Sequence, residues 1–198
     1  MSDAPYFKLR VTPIEDVLAR AALTGESATM VQDEADIVAA IDRLEAGGFA
    51  SDAAKLMAHA LPRRESVWWA CMCAHHTEPA NLPDTDRTAV AATEQWVRSQ
   101  SDETRREAFD KAQQAGFGTA EAWAAVAAFW SGDSMSPLGQ PKTPPASHLT
   151  GTAVIGSVVL AAVRTFPERR DDRMRRFLAS GREIASGGAG RLAHEDAP

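Results

Sequence analysis

Apolar positions in this chain recur at three- and four-residue intervals, and capping residues, glycines and prolines separate the runs. Asp33-Glu34-Ala35-Asp36 opens a run with Ile37, Val38, Ile41 and Leu44 in register, and Gly47-Gly48 ends it. Ser51 is placed to cap a second run carrying Ala54, Leu56, Met57, Ala60 and Leu61. Pro62 cannot continue that helix but suits the start of a third, which runs to His76. Residues 33–76 therefore read as three helices joined by very tight corners, a helical-hairpin or solenoid-like arrangement without a measurable repeat.

The same punctuation continues downstream. Asp84 to Arg98 forms a helix with Val90, Thr93, Trp96 and Val97 at core spacing, and Ser101-Asp102-Glu103 starts another that Gly116 ends. Thr119 caps an Ala-rich helix over 120–130, whose small side chains allow close approach and predict a central position. Two helices close the pattern, over 150–165 and 167–186, the second with Met174, Phe177, Leu178 and Ile184 inward and its arginines outward. No segment alternates as a strand does, although Tyr6 to Val11 suits a short extended arm. The fold class expected is all-α: one helical domain over residues 1–186, with residues 187–198 a frayed, disordered tail.

Residues 131–148 break the helical pattern with a long loop containing Pro137, Pro141, Pro144 and Pro145. Loops of that length inside a domain are uncommon. This one suits an extended recognition segment and a proline-stiffened connector equally.

Composition narrows the function more by exclusion than by indication. The net charge is −6, carried by residues 1–100 with 9 Lys/Arg against 15 Asp/Glu. Seven arginines between 164 and 182 make one basic stretch, including Arg169, Arg170, Arg173, Arg175 and Arg176, which reads as a solvated helix face. An acidic chain with one such stretch is not built as a nucleic-acid binder. The first residues lack a signal peptide's apolar core, and the apolar run 153–163 is interrupted by Gly156 and Ser157, so no membrane insertion is expected. Two cysteines spaced two apart suit reduced thiols and a cytoplasmic location.

Potential chemistry is concentrated in Trp68-Trp69-Ala70-Cys71-Met72-Cys73-Ala74-His75-His76. On a helix, Cys71 shares a face with His75, and Cys73 shares another with His76. No face gathers three ligands, and Cys-x-Cys is not the spacing of a structural zinc knuckle. An apolar helix also raises a thiol's pKa, so the expectation is core thiols, exposed helix-end histidines, no cofactor and no metal. Trp68 and Trp69 project about 100° apart, which sends one ring to the core and the other to a second layer or a partner. Phosphate loops, dinucleotide fingerprints and the nucleophile elbow are all missing from the sequence.

Three segments taken together carry a resemblance: Ala58-His59-Ala60-Leu61-Pro62-Arg63-Arg64-Glu65-Ser66-Val67-Trp68-Trp69, Ala127-Ala128-Phe129-Trp130-Ser131-Gly132-Asp133-Ser134, and Leu149-Thr150-Gly151-Thr152-Ala153. In that order, over roughly residues 35–186, the chain resembles an uncharacterised family of small helical bacterial proteins found in type VI secretion gene neighbourhoods. Asp133 stands where that pattern has a glycine. The resemblance implies a cytoplasmic, secretion-associated context and supplies no catalytic residues. Two functional readings result. The first is a non-enzymatic adaptor that binds a secretion-system component or effector. Its contact residues would be Arg63, Arg64 and Glu65 at the helix corner, with Trp130, Asp133, Pro137, Pro141 and Pro144 from the loop. The second is a metal- or thiol-dependent enzyme centred on Cys71, Cys73 and His75.

Overall fold

Leu61 and Pro62, in extended backbone, turn the chain between two helices without a loop, as the sequence pattern predicts. The computed structural model describes residues 5–195. Among these residues the fold is all-helical: α1 (Ile14–Ala21), α2 (Gly25–Val31), α3 (Ile37–Ala46), α4 (Ala50–Ala60), α5 (Arg63–His76), α6 (Asp84–Ser99), α7 (Asp102–Ala115), α8 (Ala120–Trp130), α9 (Leu149–Val163) and α10 (Arg170–Ala185). Single 3₁₀ turns occupy Phe7–Arg10 and Pro167–Arg169. The helical-hairpin reading of residues 33–76 holds as α3, α4 and α5.

α8 lies at the centre. Nearly every residue from Ala120 to Phe129 is buried, and the helix packs on α5, α6, α7 and α9. Its alanines let α9 approach until Ser157 Oγ donates to the Ala120 carbonyl at 2.7 Å inside the core. Thr119 caps α8 as expected, accepting from the Ala122 amide, and Ser101, where a helix was expected to begin, caps α7 by accepting from the Thr104 amide. The Thr119 hydroxyl also donates to buried Asp86 at 2.6 Å, tying the start of α6 to the start of α8.

α9 and α10 close the core, with Met174, Phe177, Leu178 and Ile184 buried as predicted. No single helix among the described residues is long and apolar enough to cross a membrane; α9 and the segment after it qualify only as a pair bent by 118°.

Several details depart from the expectations. Tyr6 to Val11 is no extended arm but the 3₁₀ turn, which buries Leu9. α1 and α2, which the punctuation does not announce, precede α3 and bury Val17, Ala21 and Val31. Ser51 does not cap α4; the helix starts at Ala50, and the Ser51 hydroxyl instead receives a hydrogen bond from Arg170.

Arg173, expected outside with its neighbours, is 1% exposed. Its guanidinium reaches the carbonyls of Ala162, Arg164 and Phe166, the free carbonyl end of α9, and pairs with Glu195. Residues 187–195 are accordingly not a frayed tail. They run back over the bundle, where Ser180 donates to the Gly190 carbonyl and Leu192 packs on the core. Residues 196–198 lie outside the described part of the chain.

Candidate functional site

α5 positions most of the chemistry-bearing side chains, and the structure sorts them into core and surface. Cys71 and Cys73 are unpaired and fully buried. Burial pushes both thiols well above their ordinary pKa, reinforced at Cys71 by the carboxylates of Glu94 and Glu121. The histidines turn elsewhere. His75 places Nε2 2.9 Å from Glu94 and Nδ1 3.2 Å from Glu78, and the Glu94 hydrogen bond raises its pKa. His76, expected to be exposed, is buried: Nδ1 donates to the Ala193 carbonyl and the ring meets the Phe177 ring edge-on. Among the described residues, no three of His, Cys, Asp and Glu are grouped to hold a metal ion.

The tryptophan pair divides as its geometry requires. Trp69 is fully buried and donates to the Phe177 carbonyl at 2.8 Å. Trp68 is half-buried and donates to the Ala189 carbonyl at 2.7 Å, which fixes the returning tail against α5.

Between that tail and α6 runs a groove of about 310 Å³. Lys8, Arg64, Glu65, Trp68 and Arg98 line it together with residues 187–189. Glu65 pairs with Lys8 at 3.1 Å and more loosely with Arg64 at 3.7 Å, while Arg64 Nε donates to the Val97 carbonyl at 2.8 Å. Arg98 pairs with Glu94 at 3.0 Å and keeps most of its side chain in solvent. Three cations against one lining carboxylate make this a locally positive groove in an acidic protein. Its indole wall adds an apolar surface beside the charges.

The sequence-selected contact residues do not form one patch. Successive helical residues point about 100° apart, so Arg63 leaves the groove that Arg64 and Glu65 enter. Arg63 Nη1 instead donates to the Ser131 carbonyl at 3.0 Å, joining the corner to the start of the long loop. That loop is ordered by its own polar groups. Ser134 Oγ accepts from the amides of Ser136 and Thr143, both at 3.1 Å, and the Met135 amide bonds to the Thr143 carbonyl. Asp133 pairs with Lys142, whose ammonium lowers the Asp133 pKa. Trp130 is half-buried against Trp123, whereas Pro137, Pro141 and Pro144 are exposed, as is Leu138 at 76%.

Sequence reasoning missed two ion pairs of the interior. Glu121 accepts both arms of Arg164, at 2.8 and 3.1 Å, and Arg173 pairs with Glu195. The signal for Glu121 was a lone acid in an otherwise apolar helix. The signal for Arg173 was its position four residues before Phe177, on the apolar stripe of α10.

A model of a family of unknown function, DUF6931, matches residues 40–185. The chain belongs to this family. No curated protein and no solved structure matches the chain. The part shared with DUF6931 runs from α3 to the end of α10. It includes Arg64, Glu65, Trp68 and Arg98, whereas Lys8 and residues 187–189, which complete the groove, lie outside it.

Proposed function

We propose that this protein is a non-enzymatic adaptor whose groove between α5, α6 and the C-terminal tail takes an acidic, partly apolar segment of a partner protein. The observation that carries this reading is the half-buried Trp68 flanked by the cations Lys8, Arg64 and Arg98 in one groove. A carboxylate-bearing segment finds complementary charge there, and its apolar side chains find the indole. The burial of Cys71 and Cys73 supports the non-enzymatic side of the proposal, since inaccessible, protonated thiols are poor nucleophiles. The resemblance stated above extends the proposal to a cytoplasmic setting and a partner among type VI secretion components or effectors.

The test uses the full chain and its Arg64→Glu/Arg98→Glu variant as paired baits, with folding checked by circular dichroism. A partner recovered stoichiometrically by the native chain and lost by the variant supports the groove. Equal recovery by both would place binding elsewhere, and the exposed loop around Leu138 would be the next surface to alter. Recovery of no partner by either bait would overturn the adaptor reading.

A further inference from the structure

A second cavity, of about 140 Å³, opens where the α4–α5 corner meets the start of α9. Thr12, Arg20, His59, Arg63, Ser147 and Thr150 line it, and no carboxylate does. Two helices begin at its wall, α5 at Arg63 and α9 at Leu149, and neither has a side-chain cap. The first helical acceptors are the Pro62 carbonyl for Ser66 and the His148 carbonyl for Thr152. The Thr150 and Gly151 amides precede the second of these, so they remain as donors at the positive end of α9.

His59 supplies an independent observation. It is 6% exposed, it lines the cavity, and its ring has no hydrogen-bonding partner among the described residues. Its ring lies flush against Gly151, where an added Cβ would fall less than 3.0 Å from Nδ1, Cε1 and Cγ. Burial, then the charges of Arg20, His148 and Lys55, lower its pKa to about 4. The carboxylates on the neighbouring helices are already engaged, Asp16 with Arg20 at 3.7 Å and Asp52 with Lys55 at 3.6 Å. Near neutral pH the cavity therefore holds an uncharged imidazole among groups that are cations or can donate hydrogen bonds.

We infer that this cavity binds a small tetrahedral oxyanion of the phosphoryl class, held by Arg20, Arg63, the His59 ring and the amides that open α9. A planar carboxylate is satisfied by one guanidinium fork, whereas donors arriving from α1, the α4–α5 corner and α9 suit an ion with oxygens on several sides. The helix start adds its partial charge in the same direction. The hydroxyl of Thr150 is already committed to the Trp130 carbonyl at 3.0 Å, so this residue contributes its amide. Arg63 spends Nη1 on Ser131 and keeps its remaining donors. The site is separate from the partner groove, because Arg63 and Arg64 face different cavities.

The experiment titrates the full chain with inorganic phosphate and, separately, with phenyl phosphate, by calorimetry and by proton–nitrogen correlation spectra in phosphate-free buffer. Saturable binding is expected, with shifts at the Arg63, Thr150 and Gly151 amides and at the His59 ring. The His59 pKa should move upward from about 4, because a bound anion favours the imidazolium. Arg20→Gln should weaken binding by about tenfold or more, the effect of losing one charge-assisted contact. Arg43→Gln, at an exposed arginine of α3, should not. Binding of phenyl phosphate as well as phosphate would assign the cavity to the phosphoryl end of an ester, and binding of phosphate alone would assign it to the free ion. Failure to saturate by about 20 mM, or equal weakening by Arg20→Gln and Arg43→Gln, would overturn the proposal.

Discussion

Arg173 Nη2 lies 2.6 Å from Glu195 Oε2, so a buried cation on α10 is neutralised by a residue from the returning tail. The same guanidinium collects the carbonyls of Ala162, Arg164 and Phe166, closing the end of α9. One ion pair thus joins α9, α10 and the tail that walls the groove beside Trp68.

Removing Glu195 leaves the Arg173 charge buried with only carbonyl partners. Glu195→Ala is expected to cost about 1–3 kcal/mol, measured by urea denaturation. Ending the chain at Ser186 also removes acceptors for Trp68, Ser180 and His76, and should cost more than the point variant. A truncated chain as stable as the native one would show that the tail contributes nothing to the core.

Two glycines of α9 should respond with opposite signs. At Gly151 an added methyl collides with the buried His59 ring, which must shift to admit it, so Gly151→Ala should destabilise by about 1–3 kcal/mol. At Gly156 the nearest atoms are in the Trp123 ring at 3.6 Å, an ordinary contact, and the position is mid-helix. Gly156→Ala should therefore stabilise by up to about 1 kcal/mol. Thermal denaturation of the two variants separates these outcomes; equal shifts would contradict the packing.

His59 and His75 should give the stability opposite dependences on pH. The unfolded chain protonates His59 below about pH 6.5, whereas the folded chain resists until about pH 4. Between those values the unfolded state binds more protons, so stability falls with falling pH, by up to about 3 kcal/mol. His75, raised by its Glu94 partner, stabilises fully below its unfolded pKa and loses that contribution as pH rises through the folded one. Its partial exposure keeps that term small. Denaturation across pH 4–8 should show a shallower acid slope for His59→Gln than for the native chain; an unchanged slope would exclude His59 as its source.

The thiols should react only when the fold opens. Cys71 and Cys73 are expected to label with iodoacetamide at neutral pH at least about a hundredfold more slowly than in denaturant. Rapid labelling of either in the native protein would contradict their burial and favour the thiol-enzyme reading.

The helices and most of their boundaries follow from the sequence because they rest on local rules. The spacing of Ile37, Val38, Ile41 and Leu44, the Ser101 and Thr119 caps, and the Pro62 corner each act within a few residues. The burial of the cysteines and the split between Trp68 and Trp69 were legible for the same reason. Pairings across long separations were not, since a sequence pattern carries no record of which distant groups meet. Arg173 looked like one arginine of a solvated face until Glu195, 22 residues on, gave it a partner. Residues 187–195 looked too polar and glycine-rich to pack until Trp68, Ser180 and His76 supplied their backbone with donors. Adjacent Arg63 and Arg64 read as one contact patch, and only helix packing sends them to different cavities. The sequence by itself determined an all-helical chain and its core faces, because helix formation and burial are governed by local periodicity. The tertiary structure alone decided the buried charge pairs, the ordered tail and the two cavities, because each needs groups from several helices to meet at hydrogen-bond distance.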